Sequence, residues 1–314
     1  MGAKHIIKGL LTFVPGLSKF ATHRTGGTNS ARYCYSVWLR HLILAQQCGL
    51  FKWPKVIAEL GPGDSLGIGL AAVLSGAERY YALDVVEYAN VETNLKVLDE
   101  LISLFIKRAP IPDQHEFPMV RPLLETYEFP RQLLTEDRIE RNLRPQRIQC
   151  VRDALRKSKD KDTEGIEISY ICPWHDSSVI RLESVDMILS QAVLEHVNDL
   201  PQAYEALYCW LKADGLMSHQ IDFGCHGTAN VWNGHWAYSD YTWRLIKGKR
   251  AYLLNREPYS THRRLLHSAG FRIVCQIKCR DSSGIARARL SSRFRSMPEE
   301  DLTTRTIHVL ATKA

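Results

Sequence analysis

The chain has 314 residues, of which 45% are hydrophobic and 24% charged, and its formal net charge at pH 7 is +7. This composition is typical of a globular protein with a substantial core, and it excludes a disordered or fibrous chain. The modest positive charge permits an anionic partner, but there are no dense Lys/Arg tracts, so nucleic acid is not favoured as a partner. No apolar stretch reaches the roughly 18 to 20 residues that cross a bilayer, which predicts a soluble protein without a transmembrane segment.

The eight cysteines contain no Cys-x-x-Cys pair and fall mostly within predicted helices or strands. Cysteines with this distribution usually behave as small buried hydrophobes rather than as a disulfide framework or a zinc site. The sequence therefore predicts free thiols in a reducing compartment, which favours a cytoplasmic location.

The amino-terminal part begins with residues 1–29, which give no clear pattern and end in a glycine-rich loop. Apolar residues then recur at helical spacing from Cys34 to Ala45, and Asn29 or Ser30 can cap the helix. This pattern predicts a helix of about 30–49 that precedes the first strand.

The segment from Val56 to Gly67 has the order of a strand, a glycine turn and a helix. Gly61 and Gly63 allow a sharp backbone turn, and free amides at the helix start favour anionic or polar ligand groups. Asp84 closes the next apolar run at the distance where an acidic side chain meets the ribose hydroxyls of an adenine nucleoside. The segment therefore predicts a site for a nucleoside-containing cofactor.

Two cofactor classes, dinucleotides and S-adenosylmethionine, use this geometry. A dinucleotide site needs glycine three residues beyond Gly63, but that position is Leu66. Glu59 would repel a pyrophosphate, whereas an acidic residue there suits the charged amino group of a methionine moiety. The pattern of Glu59, Gly61 and Gly63 resembles motif I of the class I S-adenosylmethionine-dependent methyltransferases.

From residue 56 onward, predicted strands and helices alternate, which indicates a parallel sheet. The alternation breaks at 109–165, where prolines and charges predict a largely solvated insertion with helical fragments and an exposed charged link at 157–162. The predicted strands are 56–60, 79–85, 166–171, 185–190, 216–223, 271–278 and 306–311. The predicted helices after the first lie near 66–76, 89–107, 131–143, 147–157 and 258–269, with a further helix that begins at Pro201.

A second stretch strengthens the resemblance. The residues from Gln191 to Val197, the helix that begins at Pro201, and the turn that ends at Gly215 are similar to the same family's segment between its fourth and fifth strands. The family's usual turn is Leu-Lys-Pro-Gly-Gly. Here Ala213 and Asp214 replace the proline and the first glycine, a change that a turn tolerates.

The resemblance covers about 56–108, 166–279 and the last strand. It implies an α/β fold with a doubly wound, mostly parallel seven-stranded sheet, helices on both faces and an antiparallel last strand, plus a helical insertion. The implied organisation is an N-terminal extension with a cap helix at 1–50 and a class I methyltransferase domain at 51–314, which carries insertions at about 109–165, 224–257 and 280–303.

The implied cofactor is S-adenosylmethionine. In the family, the loop after the third strand contacts adenine, so Trp174 can stack on the base or instead pack structurally. Gln191 is suited to the methionine end of the cofactor or to a turn role. The predicted cofactor-binding residues are Glu59, Gly61, Gly63, Asp84, Val85, Cys172, Trp174 and Gln191.

Methyl transfer needs an attacking lone pair held in line behind the methyl group, and for an oxygen nucleophile a nearby base can take the proton. His196 and His226 are the predicted catalytic residues; His219, Asp222 and His235 are further candidates, and a structural role is the alternative for each. The loop that leaves the fifth strand, 224–240, is expected to form the acceptor wall and lid. Its predicted substrate-binding residues are Trp232, His235 and Trp236, with packing of the loop as the alternative.

Some methyltransferases bind a divalent metal through Glu-x-x-Glu-His at the fourth-strand motif. This chain has Glu195 and His196, but Ala192 occupies the first glutamate position, so a metal would need donors from elsewhere. The sequence therefore predicts no metal.

These features together predict a methyltransferase that acts on an oxygen or nitrogen of a small molecule or glycan. Two alternatives stay open at this stage, namely an RNA methyltransferase and a noncatalytic S-adenosylmethionine-binding protein. The sequence does not indicate an oligomeric state.

Overall fold

A computed structural model describes residues 3–14, 26–49, 52–157, 165–174, 176–250 and 252–314. The predicted charged link at 157–162 lies outside the described residues except for Lys157. The strands are β1 (Val56–Leu60), β2 (Arg79–Leu83), β3 (Glu167–Ile171), β4 (Val185–Gln191), β5 (Leu211–Asp222), β6 (Phe271–Arg280) and β7 (Thr304–Lys313).

The strands form one seven-stranded sheet in the order β3-β2-β1-β4-β5-β7-β6. Neighbours from β3 to β5 are parallel, and β7 lies between β5 and β6 and is antiparallel to both. The order reverses between β1 and β4, and the carboxyl ends of these strands therefore border the crevice where open α/β sheets bind ligands. The predicted α/β fold with an antiparallel last strand is confirmed.

Helices cover the sheet where the sequence predicts that helices alternate with strands. The helices are α1 (Ala3–Leu11), α2 (Ala31–Gln47), α3 (Gly67–Ser75), α4 (Val91–Ile106), α5 (Glu136–Asn142), α6 (Pro145–Leu155), α7 (Leu200–Trp210), α8 (Asp240–Lys247), α9 (Tyr259–Ser268) and α10 (Glu299–Thr303). No helix in the described part of the chain is long and apolar enough to span a membrane.

The helix α2 agrees with the predicted helix at 30–49. Ser30 is its N-cap, and the Ser30 side chain accepts a hydrogen bond from the Tyr33 amide. Trp38 is fully buried, and its indole N–H donates to the Ser75 hydroxyl of α3 at 2.8 Å. This helix therefore packs over the strand–turn–helix segment that the sequence singles out.

The insertion at 109–165 differs from expectation. The sequence predicts a largely solvated segment, but its apolar side chains enter the core on the α2–α4 side of the sheet. The buried residues of this segment include Phe129, Leu133, Leu134, Ile139, Cys150, Val151 and Leu155. The mixed composition reflects short helices and turns whose polar residues face solvent while one apolar face packs against the sheet.

The cysteine prediction is wrong for one pair. Cys48, which follows α2, and Cys275 in β6 form a disulfide across 227 residues of sequence. The other six cysteines are thiols, as predicted. The pairing was not visible in the sequence because it depends on α2 crossing the sheet toward its β6 edge.

Candidate functional site

The turn after β1 has the backbone geometry that its glycines predict. Gly61 and Gly63 have φ angles of +62° and +73°, in the left-handed region that side chains other than glycine rarely adopt. A Cβ atom on Gly61 would lie 2.6 Å from the Val193 side chain. The turns that follow β1 and β4 are therefore in direct contact at the carboxyl edge of the sheet.

The amides at the start of α3 are already bonded to protein oxygens, which corrects the expectation that they are free. The Ser65 amide donates to the Thr28 hydroxyl at 3.3 Å, and the Leu66 amide donates to the Asn94 side chain at 2.9 Å. The Gly67 amide donates to the Ser65 hydroxyl at 3.1 Å. A pyrophosphate would need these donors, so this arrangement gives an independent physical reason to reject a dinucleotide.

Glu59 lies in β1 and is 1% exposed. Its Oε2 accepts a hydrogen bond from the Tyr80 hydroxyl and another from the Gly69 amide at 3.2 Å. Burial raises the pKa of this carboxyl to about 8, although both hydrogen bonds act in the opposite direction. These contacts connect β1 to β2 and α3, so Glu59 has a structural role. The predicted contact of Glu59 with the cofactor's amino group would have to be made in addition to this role.

Asp84 directly follows β2 and is 7% exposed. Its Oδ1 accepts from the Val85 amide at 2.7 Å, and its Oδ2 accepts from the Gly63 amide at 3.4 Å. Burial raises the pKa of this carboxyl, while those amides oppose the shift. The structure thus places three predicted cofactor residues, Gly63, Asp84 and Val85, next to one another at the edge of the sheet.

Two further predicted cofactor residues follow β3 and border the same region. The Trp174 amide donates to the Asp84 carbonyl at 3.1 Å, and the Trp174 ring meets Trp210 edge-on with centroids 5.5 Å apart. Cys172 is partly exposed, between β3 and Trp174. Gln191 is the last residue of β4, paired with Gln220 of β5, and lies farther along the same edge.

The two predicted catalytic histidines lie side by side, although thirty positions separate them in the sequence. The rings of His196 and His226 have centroids 5.1 Å apart and meet edge-on. His196 ends the short turn after β4, and His226 lies in the loop after β5 with a left-handed φ of +43°. Adjacent parallel strands that end together bring these two loops to one place.

Two carboxylates flank the histidine pair. His226 Nε2 is 3.3 Å from Asp222 Oδ2, and Glu195 is 3% exposed beneath the pair. Burial acts to lower the pKa of His226, but the hydrogen bond that His226 donates to Asp222 and the nearby Glu195 carboxyl outweigh it, so this pKa is raised. Burial raises the pKa of Glu195 to about 8.

A segment that sequence reasoning missed holds this cluster. The Asn255 side chain donates to the Leu194 and Val197 carbonyls at 2.8 and 2.9 Å, and the Asn255 amide donates to the Glu195 carbonyl at 2.8 Å. The Tyr252 carbonyl lies 2.9 Å from His196 Nδ1. No local pattern marks these residues, because their role depends on the return of the chain after α8.

The predicted acceptor residues lie inside the core on the α7–α9 side. Trp232, His235 and Trp236 are 8%, 2% and 1% exposed. The Trp236 indole donates to the Arg256 carbonyl at 2.9 Å, and its ring packs near Phe294. The placement favours the packing alternative for His235 and Trp236, and acceptor contact by all three residues stays a prediction.

His219, a further candidate, is also placed away from solvent. It is fully buried, and its Nδ1 lies 2.7 Å from the Ser190 hydroxyl. Burial lowers the pKa of its ring to about 3. A neutral, enclosed imidazole of this kind supports a packing role.

Comparison with known proteins gives one match in sequence and several in structure. Residues 141–218 match the family model described as a methyltransferase domain. No curated protein matches the chain.

The similar solved structures include three methyltransferases. A Mesorhizobium loti S-adenosylmethionine-dependent methyltransferase is 14% identical, with 84% of this chain and 94% of that chain covered and a TM-score of 0.41. A Methanosarcina mazei enzyme of the same description is 11% identical, with 84% and 95% covered and a TM-score of 0.41. Haemonchus contortus phosphoethanolamine N-methyltransferase 2, in complex with S-adenosylmethionine, is 14% identical, with 88% and 52% covered and a TM-score of 0.41. These likenesses are too distant to assign an acceptor or the role of a residue.

The sheet order, with β7 inserted antiparallel between β5 and β6, agrees with the fold that the resemblance to class I methyltransferases implies. Residues 141–218 match a methyltransferase domain, in agreement with the family that the sequence analysis predicts. The match supports the methyltransferase predicted from the sequence, and S-adenosylmethionine is the cofactor that this prediction implies.

Proposed function

We propose that the protein transfers the methyl group of S-adenosylmethionine to an oxygen or nitrogen of a small molecule or glycan. The observation that carries this proposal is the contact between His196 and His226, whose rings lie 5.1 Å apart in the loops that follow β4 and β5. Ring nitrogens at this edge are suited to accept the proton of an acceptor's nucleophilic atom, or to hold a cation that binds this atom.

The cofactor is proposed to lie across the carboxyl ends of β1, β2 and β4. Asp84 would hold the ribose hydroxyls, Val85 and Trp174 would contact the adenine, and Gln191 would lie near the methionine end. The crowding of Gly61 against Val193, at 2.6 Å for a Cβ atom, keeps the turns after β1 and β4 together at the edge where the cofactor is proposed to lie.

In the proposed reaction, the acceptor's lone pair forms a bond to the methyl carbon. The bond between that carbon and the sulfonium sulfur breaks, and its electron pair stays on sulfur as the neutral thioether of S-adenosylhomocysteine. An acceptor hydroxyl also loses its proton, finally to solvent. The protein's contribution is to hold the two reactants in line and to exclude water from the sulfonium.

The arginines of the segment 280–303 favour a small acceptor over RNA, because several of them form ion pairs with carboxylates of the protein. Arg287 forms an ion pair with Glu299 at 2.7 Å, and Arg280 with Glu300 at 3.4 Å. Arg293 pairs with Glu257. Cations that are already paired with carboxylates offer little to a phosphate backbone, whose binding depends on the release of counterions by unpaired cations.

The test is incubation of the protein with radiolabelled S-adenosylmethionine and fractionated cell extract, followed by identification of the labelled product. A labelled small molecule or glycan is the expected result. Labelled RNA, with binding that falls steeply between about 50 and 200 mM salt, would support the RNA alternative instead. Binding of S-adenosylhomocysteine without transfer to any fraction would favour the noncatalytic alternative.

A further inference from the structure

We propose that Glu195, His196 and His226 form a binding site for a divalent cation of a first-row transition metal. Each of the three residues offers one ligand atom, and these atoms all lie within 4.8 Å of one another. A single ion can contact three atoms at this spacing after small side-chain rotations, since metal–ligand bonds to oxygen and imidazole nitrogen are about 2.0 to 2.2 Å long.

The buried carboxylate of Glu195 gives an independent reason for a cation. Glu195 Oε1 accepts the Asp222 amide at 3.3 Å, but Oε2 has no hydrogen-bond partner among the residues that the structure describes. The residue is only 3% exposed. A buried polar atom without a partner costs about 1 to 3 kcal/mol or more when charged, and a bound cation would satisfy it.

Both histidines are held in the tautomer that a ligand needs. A carbonyl can only accept, so His196 Nδ1 must donate to the Tyr252 carbonyl at 2.9 Å, which leaves the lone pair of the neutral ring on Nε2. In the neutral form of His226, donation from Nε2 to Asp222, 3.3 Å away, leaves the lone pair on Nδ1, so a cation would bind in competition with the second proton. Metal-binding histidines usually donate their second N–H to a carboxylate or a backbone carbonyl.

The donor set indicates the kind of cation. Two imidazoles and one carboxylate favour Zn²⁺ or Fe²⁺ over Mg²⁺ and Ca²⁺, which prefer oxygen ligands. Three protein ligands leave at least one coordination position for water or acceptor. His196 and His226 are partly exposed, which leaves that position accessible.

This inference replaces the expectation that no metal is bound. That expectation rested on Ala192, which occupies the first ligand position of the Glu-x-x-Glu-His pattern. In the structure, Ala192 has a left-handed φ of +55°, and the third ligand comes from His226 in the loop after β5. The missing donor is therefore supplied from another strand end rather than from the same motif.

The catalytic consequence rests on the proposed function. A cation at this position would orient an acceptor hydroxyl and lower the pKa of that hydroxyl, so that its proton passes to solvent as the carbon–oxygen bond forms and the carbon–sulfur bond breaks. Binding of the cation itself does not depend on the identity of the acceptor.

The experiment is a calorimetric titration of chelator-treated full-length protein with Zn²⁺, and a parallel titration with Co²⁺ followed by its visible absorption. Wild-type protein is expected to bind one cation per chain with imidazole-ligated Co²⁺ bands. His226→Ala and Glu195→Gln should each weaken binding by about tenfold or more, on the scale seen for disrupted metal sites. His267→Ala, which removes an exposed histidine of α9, is the matched control and should bind as wild type.

Asp222→Asn extends the test to the partner of His226. It keeps an oxygen acceptor but removes the charge, so a smaller loss of cation affinity is expected. Melting temperature and S-adenosylhomocysteine affinity verify that each variant is folded. No binding by the wild type, or equal binding by wild type and both ligand variants, would overturn the proposal. A protein that binds the cation but transfers no methyl group would retain the metal site and refute only the proposed function.

Discussion

Replacement of Asp84 tests the cofactor site most directly. Its carboxylate is almost fully enclosed, accepts the Val85 and Gly63 amides, and lies at the end of β2 where the ribose is proposed to bind. Asp84→Ala removes the charge and both acceptors, whereas Asp84→Asn removes the charge but keeps one acceptor oxygen. The pair of variants therefore separates the charge from the local backbone contacts.

The magnitude follows from the environment of this carboxylate. A charge-assisted hydrogen bond in a partly buried site contributes about 1 to 3 kcal/mol, which corresponds to about 5- to 150-fold in the dissociation constant. Asp84→Ala should weaken S-adenosylhomocysteine binding within that range. Asp84→Asn should fall toward its lower end, and Asp84→Ala should also lower the melting temperature because the Gly63 amide loses its acceptor.

Isothermal titration calorimetry with S-adenosylhomocysteine measures the affinity, and thermal unfolding without ligand measures the stability. NAD serves as the negative control, since the α3 amides are occupied by protein oxygens. If Asp84→Ala is folded and its dissociation constant is unchanged, Asp84 does not contact the cofactor. Tight NAD binding with no response to S-adenosylhomocysteine would refute the cofactor assignment as a whole.

Three further predictions concern the scaffold and the acceptor wall. Gly69→Ala would place a Cβ atom 2.0 to 2.3 Å from the Tyr80 ring, so urea unfolding should show a loss of about 1 to 3 kcal/mol, and an unaltered midpoint would refute the packing seen here. Burial lowers the pKa of His219 to about 3, below the value of about 6.5 in the unfolded chain. The neutral His219 ring therefore contributes fully to the stability of the fold above pH ~6.5, and this contribution is lost as the pH falls toward 3. His219→Gln should therefore reduce the acid dependence of the unfolding free energy, by up to about 1.4 kcal/mol per pH unit, and an identical slope in the variant would contradict this. Trp232→Ala and Trp236→Ala should both lower the melting temperature; if they also keep normal turnover of the true acceptor, the loop is scaffold and the acceptor lies elsewhere.

The sequence predicts the sheet well because its strands and helices are marked by local signals. The glycines at 61 and 63 and the Ser30 cap each fix backbone geometry within a few residues, and the structure has them in the expected conformations. The strand β5 is assigned from Leu211, but its pairing with β4 jumps from Leu211 to Leu216, so Ala213 to Gly215 leave the ladder as the predicted turn requires.

The arrangement of the candidate site depended on contacts that no local pattern records. His196 and His226 were both nominated, but their contact follows from the pairing of β4 with β5, in which Gln191 lies opposite Gln220. Glu59 belongs to a sequence motif that suggests a ligand contact, yet its Oε2 accepts a hydrogen bond from the Tyr80 hydroxyl of the neighbouring strand. Spacing indicates which residues share a strand end, and only the register of the sheet shows which of them meet.

The position of β7 in the sheet has a consequence for the folding of the protein during its synthesis on the ribosome. The strand β5 is paired with β7 from Met217 to Asp222, so the strand that leads to His226 has an open edge until residues 304–313 have been synthesised. The strands β1 to β4, with the cofactor turn and the helices over them, are complete much earlier in translation. We expect the part of the nascent chain that is proposed to bind the nucleoside to fold first, and the histidine cluster to form only after β7 has paired with β5. A ribosome-stalled chain that lacks β7 should therefore bind S-adenosylhomocysteine more readily than it binds a cation.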